Sequence, residues 1–255
     1  MRKPAALALC ALLLSCARRA PPPPEAFKLE DSCAAKLARS DWEGARRDCA
    51  EAARMLPESP VAWPSLAVAL LQLHQLDEAR PALEKAARYA DRDPRVHNGL
   101  GIVAFTDRRY PEAEAQFKRA LELNADYAQA RFNRAWNFFR WRRYADAAAQ
   151  LRELMVRKPE LAEAPHFLGL ILLTEDRLED ATETLIDAVE KEPRDCRIWL
   201  ALATAYGRQQ RFEEAERALG TCLDVCPGLD ACKAQLDRAR RRDVLPLPDP
   251  HDLEP

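Results

Sequence analysis

Residues 110–127 read YPEAEAQFKRALELNADY, in which an alanine follows the first aromatic residue by three positions and a phenylalanine follows it by seven. A related pattern recurs every 34 residues, without an insertion, in six consecutive windows. The windows are residues 26–59, 60–93, 94–127, 128–161, 162–195 and 196–229. A fixed period of this length indicates one supersecondary unit that buries its apolar face against neighbouring copies of itself.

The windows, numbered from 1 to 34, predict helices through their small and large residues. Position 20 is alanine in all six copies, and position 8 is alanine, glycine or cysteine. These small residues let two helices approach, and large apolar residues at positions 7 and 24 fill the space beside them. In five copies an acidic residue follows position 17 by two, where a helix N-terminus favours negative charge. Four windows carry a proline at position 32, which stops a helix.

This pattern resembles that of the tetratricopeptide repeat (TPR) over residues 26–229. The resemblance implies an all-α fold of six helix-turn-helix repeats and a C-terminal capping helix, about 13 helices stacked as a right-handed superhelix with a concave inner surface. Residues 230–242 (DACKAQLDRARRR) carry small or apolar residues on one side and predict the capping helix. Residues 243–255 (DVLPLPDPHDLEP) are rich in proline and aspartate and predict a disordered tail.

The composition favours a helical binding protein over an enzyme or a nucleic-acid-binding protein. Glycine is scarce, at 7 of 255 residues, and the formal net charge of -2 provides no broad basic field for nucleic acid. The four histidines are scattered without metal-ligand spacing, and no nucleophile elbow or phosphate-binding loop is present in the sequence. We therefore expect no catalytic residues, no metal and no dissociable cofactor.

The N-terminus predicts export. Arg2 and Lys3 precede an apolar run over residues 5–14 that is too short to span a bilayer permanently. The run ends in Leu13-Leu14-Ser15-Cys16, which resembles the lipobox of bacterial lipoproteins. The resemblance implies a signal peptide over residues 1–15 and a covalent lipid on Cys16. The alternative is an ordinary cleaved signal with an incidental cysteine.

The residues after Cys16 predict where the protein is anchored. Ala17, rather than an aspartate, follows the cysteine, and the lipoprotein resemblance then implies the periplasmic face of the outer membrane. Residues 16–25 include four consecutive prolines, which favour a stiff extended linker between the lipid and the repeats.

Six further cysteines predict disulfides, because an exported protein folds in an oxidising compartment. Cys33 and Cys49 occupy positions 8 and 24 of one repeat, a spacing that fits a bridge across its helix pair. The remaining four are Cys196, Cys222, Cys226 and Cys232. Three pairings of these four are open, and we favour Cys196 with Cys226 and Cys222 with Cys232. The alternatives are buried free thiols or a zinc site of Cys222, Cys226 and Cys232, whose spacing is wrong for a zinc ribbon.

The first helix of each repeat lines the inner surface of TPR proteins, and here it carries an apolar stripe. The stripe occupies positions 9 and 12 of repeats two to five: Val68, Leu71, Ile102, Phe105, Trp136, Phe139, Leu170 and Leu173. Asn98 and Asn133 lie beside it, and Arg140 lies at its rim. We interpret these residues as a groove for an amphipathic or extended segment of a protein partner. The alternative is that curvature buries the stripe as core.

An outer-membrane lipoprotein of six TPRs and a capping helix resembles the pilotins of type IV pili. The resemblance implies a periplasmic adaptor that binds a secretin and promotes its localisation and assembly in the outer membrane, in support of pilus-dependent motility. The alternative is a TPR scaffold that organises peptidoglycan-remodelling enzymes.

Overall fold

The computed structural model describes residues 22–247, which form thirteen α-helices and no strand. The signal peptide, Cys16 and residues 248–255 lie outside the described residues. The helices are α1 (Pro24–Ala38), α2 (Trp42–Met55), α3 (Ala62–Gln72), α4 (Leu76–Tyr89), α5 (Pro94–Thr106), α6 (Tyr110–Leu123), α7 (Ala128–Arg140), α8 (Tyr144–Arg157), α9 (Glu163–Thr174), α10 (Leu178–Lys191), α11 (Cys196–Arg208), α12 (Phe212–Val225) and α13 (Asp230–Arg240). The predicted all-α fold of 13 helices is confirmed. Within residues 22–247, no helix is both long and apolar enough to cross a membrane.

The chain divides into two compact units, one up to Ala90 and one from Asp91 onward. The described part of the first unit contains α1 to α4, in which each helix packs on the next and α1 also contacts α3. The second unit contains α5 to α13, packed in chain order. In the second unit α5 contacts α7 and α9 contacts α11, whereas α7 and α9 approach each other less closely.

The helices keep a constant register within the repeat. The second helix of every repeat has 14 residues and runs from position 17 to position 30. The large residue at position 17 begins the helix, and the acidic residues that follow it lie in the first turn, where the helix dipole stabilises them. A period without insertions therefore places equivalent side chains at equivalent points of each helix pair.

The turn inside each repeat contains a residue in the left-handed region, and none of these residues is glycine. Position 15 has φ between 56° and 61° in all six repeats, at Ser40, His74, Arg108, Arg142, Asp176 and Gln210. The N–H of the next residue donates to the carbonyl five residues back, as Arg143 N does to Phe138 O at 2.8 Å. This is the Schellman arrangement, which satisfies the last carbonyls of the first helix.

Small residues at position 8 make room for large ones at position 24. A methyl group built on Gly101 would lie 2.5 Å from Cε1 of Phe117, and one on Gly169 would lie 2.5 Å from Cγ of Leu185. Phe117 and Leu185 are almost fully buried. The two helices of a repeat therefore interlock at this point, and a larger residue at position 8 would force them apart.

In four of the six repeats a side-chain N–H at position 4 ties the first helix to the loop before it. Each donates to the backbone carbonyl six residues earlier, over 2.8–2.9 Å: Trp63 to Pro57, His97 to Asp91, Arg131 to Ala125 and Trp199 to Pro193. In the fifth repeat the position is Pro165, which has no such donor. Three different residue types make this bond, so the sequence pattern did not reveal it.

Three disulfides are present in the described residues. Cys33 is joined to Cys49, with Cα atoms 5.2 Å apart, in the first unit. In the second unit Cys196 is joined to Cys226 and Cys222 to Cys232, with Cα atoms 6.1 and 6.4 Å apart. These are the pairs predicted from the sequence, so the six cysteines among the described residues are neither free thiols nor zinc ligands. Among residues 22–247 no group of three His, Cys, Asp or Glu side chains is arranged to hold a metal.

Both ends of the repeat array differ from the expectation. Helix α1 begins at Pro24, so the last two residues of the predicted linker are helical, while Pro23 keeps the extended φ of −66° and ψ of 143°. At the other end, the prediction of disorder from residue 243 is wrong for residues 243–247. Leu245 is fully buried against Gly207, whose missing side chain leaves the space for it. Pro246 O also accepts a hydrogen bond from Nε2 of Gln235 at 3.3 Å.

Candidate functional site

Five aromatic side chains of the second unit form one cluster, called here the aromatic cluster: Phe132, Trp136, Phe139, Tyr144 and Phe167. Trp136 stacks on Phe139 with ring centroids 5.4 Å apart, and Phe167 lies 4.8 Å from Trp136 and 5.3 Å from Phe139. Phe132 and Tyr144 extend the cluster, each at 5.6 Å from a neighbouring ring. Trp136 and Phe167 are buried, whereas the other three are only partly buried. The cluster therefore has a core and an accessible edge that includes Phe132 and Phe139.

The predicted apolar stripe is accessible at both positions on α5 and at Phe139 alone on α7, and it is buried on α9. Ile102 and Phe105 of α5 are partly buried, and the Phe105 ring lies 6.1 Å from that of Tyr110. Leu170 and Leu173 of α9 are 4% and 0% exposed. Every residue of α9 from position 3 to position 12 is buried, so on this helix the alternative interpretation of the stripe as core is right.

In the first unit the predicted groove residues lie on α3. Val68 and Leu71 are both partly buried there, and so retain some accessible apolar surface. Whether any residue of the predicted groove contacts a partner stays a prediction.

The polar residues predicted beside the stripe form a chain of amides between α5 and α7. Nδ2 of Asn133 donates to Oδ1 of Asn98 at 2.9 Å, and Nε2 of Gln129 donates to Oδ1 of Asn133 at 3.2 Å. Asn98 is buried, and Asn133 is partly buried. Burial raises the pKa of the neighbouring Tyr127, although a hydrogen bond with Asn98 lowers it. Arg140 is partly buried at the C-terminal end of α7.

Arg134, a charged residue at position 7 where four other repeats carry leucine, has hydrogen-bond and ion-pair partners inside the fold. Its Nη2 lies 2.6 Å from Oε1 of Glu114, its Nε is shared by both Glu114 oxygens, and its Nη1 donates to Gln150. The guanidinium also lies 5.4 Å from the centre of the Phe138 ring. Arg134 therefore joins the third and fourth repeats and is not available to a partner.

His166 is the buried titratable group closest to the cluster in sequence. It is 8% exposed, and its Nε2 has no hydrogen-bond partner within residues 22–247. Burial lowers the pKa of His166 to about 4, while the charges of Asp195 and Arg197 act in opposite directions on it. The imidazole is therefore neutral near pH 7, and in the part of the chain that the structure describes no second titratable group is hydrogen-bonded to it for proton transfer.

A family model for the tetratricopeptide repeat matches residues 35–96, 65–128, 98–162 and 168–221. These matches cover most of the chain. The chain belongs to the tetratricopeptide-repeat family. A TPR fold presents helix faces to other proteins, in keeping with the accessible aromatic edge on α7.

Two curated relatives match this TPR protein over a part of their own length. Protein O-mannosyl-transferase Tmtc3 of Drosophila melanogaster is 27% identical over 179 residues, which are 67% of this chain and 19% of the relative. Protein O-mannosyl-transferase TMTC3 of Homo sapiens is 23% identical over 208 residues, 78% of this chain and 22% of the relative. The chain spans about a fifth of the length of these relatives.

Several solved structures resemble the TPR fold along nearly their whole length. PilW, described as a widely conserved type IV pilus biogenesis factor, has a TM-score of 0.74 at 16% identity, over 84% of this chain and 99% of PilW. PilF of Pseudomonas aeruginosa has a TM-score of 0.70 at 17% identity, over 84% of this chain and 97% of PilF. YrrB, described as a TPR protein with an unusual peptide-binding site, has a TM-score of 0.59 at 18% identity, over 74% of this chain and 97% of YrrB. At these identities the likeness is one of fold.

The first unit carries an apolar surface that the repeat pattern does not predict. An open groove of about 940 Å³ is lined by the N-terminal part of α1 and the loop between α2 and α3. Phe27 and Val61, at position 2 of the first two repeats, line it and are 50% and 43% exposed. The signal was available, because position 2 of the later repeats carries the polar residues Arg95, Gln129, Glu163 and Arg197.

Proposed function

We propose that this TPR protein is an outer-membrane lipoprotein that binds a secretin and promotes its localisation and assembly for type IV pili and motility. A lipid on Cys16 anchors it at the periplasmic face of the membrane. It acts by holding a protein partner rather than by catalysis, and the covalent lipid is its only non-protein group. Nucleic acid is not a partner.

The likeness to PilF and PilW carries the proposal. It extends over 84% of this chain and over nearly the whole of both proteins, so the match is not confined to a few repeats. The lipobox-like Leu13-Leu14-Ser15-Cys16 adds an independent reason to place the protein at a membrane. The three disulfides suit the oxidising periplasm, since they would be reduced in the cytosol.

The accessible edge of the aromatic cluster is the surface best suited to hold the partner. Phe132 and Phe139 offer rigid apolar area at a low cost in side-chain entropy. The amides of Gln129 and Asn133 lie on the same helix and can exchange their mutual hydrogen bond for bonds to the backbone of an extended segment. Leu170 and Leu173 are buried in the core beside α9 and do not contact the partner.

The proposal is tested in a bacterium that carries the protein and assembles type IV pili. A strain with Cys16→Ser is compared with wild type by membrane fractionation and by the amount of heat-resistant secretin multimer in the outer membrane. We expect the variant to lose both outer-membrane anchoring and most of the multimer. Normal secretin multimers in a strain that lacks the protein entirely would refute the pilotin function. Altered peptidoglycan composition in that strain would favour the scaffold.

A further inference from the structure

A small cleft opens in the second unit between the N-terminal ends of α7 and α9. It has a volume of about 260 Å³. Its lining is Ala128, Gln129, Phe132, Leu154, Leu161, Glu163 and Ala164. Most of these side chains are apolar, and Phe132 belongs both to the cleft and to the aromatic cluster. The cleft therefore continues the accessible edge of the cluster.

Two departures from the repeat pattern produce the cleft. Pro165 stands where the second, third, fourth and sixth repeats carry the position-4 donor, and α9 begins at Glu163, one position later than α5, α7 and α11. Leu154 occupies position 27, which is alanine or cysteine in the other five repeats. A large residue at this point keeps the helices apart, and α7 and α9 accordingly approach less closely than neighbouring pairs of first helices do.

The cleft carries a negative charge at its mouth, from Glu163. Glu163 is the only charged residue among the described residues that line it. Its side chain is exposed, and within residues 22–247 it forms no ion pair closer than 4 Å. Arg197, on which the charge of Glu163 acts, is already held by both oxygens of Asp195. An apolar cleft with a carboxylate at its mouth complements an apolar side chain next to a cation.

We propose that the cleft holds one bulky apolar side chain of an extended partner segment, and that Glu163 pairs with a lysine or arginine beside that side chain. The inference rests on the proposed function and specifies the chemistry of the segment. Phe132 and Phe139 are seven residues apart on α7, a rise of about 10 Å that an extended chain covers in about three residues. A second apolar residue about three positions away therefore contacts Phe139.

The test uses the full chain in non-ionic detergent and synthetic fluorescent peptides, with binding followed by fluorescence anisotropy. The peptides have a glycine-serine background and carry leucine and phenylalanine about three residues apart. Lysine follows the leucine in the first peptide, glutamate replaces the lysine in the second, and alanine replaces the leucine in the third. We expect the first to bind about fivefold more tightly than the second, the size of an exposed ion-pair effect.

Variants then assign the preference to the cleft. Glu163→Lys should reverse the preference between lysine and glutamate, whereas Glu183→Lys, at an exposed site on α10, should leave it unchanged. Ala128→Leu, which fills the cleft from a partly exposed position, should abolish the preference for leucine over alanine. The fold of each variant is checked by circular dichroism. If Ala128→Leu does not fold, Glu163→Lys still tests the proposal.

The outcomes separate this inference from the function. An unchanged lysine preference in Glu163→Lys, or equal binding of all three peptides by the wild type, would overturn the inference. Capture of a secretin by the same protein preparation tests the proposed function independently. If the wild-type protein captured no secretin but still preferred the lysine peptide, the pilotin function would be rejected and the inference about the cleft would stand.

Discussion

Cys33 of α1 and Cys49 of α2 form a disulfide, with Cα atoms 5.2 Å apart, at positions 8 and 24 of the first repeat. In the third repeat Gly101 packs against Phe117 at the same two positions. A covalent bond thus takes the place of small-against-large packing in the first repeat. Terminal repeats lack a neighbour on one side, so a bond at this point limits fraying.

We expect loss of this disulfide to loosen α1 and α2 selectively. The bond closes a loop with a sequence separation of 16, for which loop entropy predicts a loss of about 3 kcal/mol. Hydrogen exchange of the α1 and α2 amides should accelerate about a hundredfold in Cys33→Ser/Cys49→Ser. The control Cys33→Ala/Cys49→Leu restores the pair found in the second repeat and should recover part of the protection. Equal exchange in all three proteins would show that the disulfide does not stabilise the repeat.

The contact between Gly101 and Phe117 predicts a coupled pair of mutations. Gly101→Ala places a methyl group where the phenylalanine ring lies and should cost about 1–3 kcal/mol of unfolding free energy. Gly101→Ala/Phe117→Leu reproduces the alanine and leucine of Ala67 and Leu83, so it should cost less than the sum of the single changes. Urea unfolding of the four proteins in a double-mutant cycle measures the coupling. Simple additivity would mean that residues 101 and 117 do not interact in the folded protein.

Burial of His166 predicts a loss of stability in mild acid. Its pKa is about 4 in the folded chain and 6.5 in the reference state, so folding favours the neutral ring. The stabilisation is complete above pH 6.5 and falls as the pH drops from 6.5 towards 4, by up to about 3 kcal/mol. In His166→Gln the midpoint of urea unfolding should depend less on pH over this range. The control is His74→Gln, on an exposed turn, which should keep the wild-type pH dependence. A midpoint with the same pH dependence in His166→Gln as in the wild type would contradict the buried neutral imidazole.

The left-handed residues at position 15 predict a stabilising substitution. Arg142 has a φ of 59° and an exposed side chain, so its Cβ is strained by the backbone without gaining burial. We expect Arg142→Gly to raise the unfolding free energy by about 0.5 kcal/mol, since relief of strain exceeds the entropy that glycine loses. Arg142→Ala keeps the Cβ and should bring no gain. Thermal unfolding measures the stability of both variants. If Arg142→Ala were as stable as Arg142→Gly, the gain would come from the loss of the charge and not from relief of backbone strain.

Much of the fold was predictable because the repeat is exact in length. A 34-residue period with invariant small positions predicts two helices per repeat and their contact points, and the second helices all begin at position 17. The left-handed turn residues were not predictable. Schellman motifs are usually recognised by a glycine, and no repeat has glycine at position 15. For the acidic residue at position 19, the sequence pattern indicates only an interaction with the helix dipole. In the second unit an arginine at position 16 also pairs with it, as Arg143 does with Asp146 at 2.7 Å.

The candidate site was harder to predict, because exposure depends on how far neighbouring helices approach. Leu170 and Phe139 occupy the stripe at positions 9 and 12, yet Leu170 is enclosed and Phe139 is not. The cleft beside Phe132 depends on Leu154 and Pro165. Both residues differ from those at the equivalent positions of the other repeats, and the repeat pattern does not show what the differences cause. Burial of Leu245 depends on a space left by Gly207, two helices earlier in the chain. No periodicity in a single helix encodes these relations.

Binding of a secretin through the aromatic cluster is tested most directly by capture of solubilised secretin subunits on the immobilised full chain. Wild type is compared with Phe132→Ala/Phe139→Ala, whose fold is checked by circular dichroism, and with Val156→Ala, which changes a side chain 82% exposed on α8 outside the cluster. Trp136 is too buried to separate binding from folding. We expect wild type and Val156→Ala to capture the secretin and the double variant to lose it. Absence of secretin on the wild-type protein, or equal capture by all three folded proteins, would contradict this account.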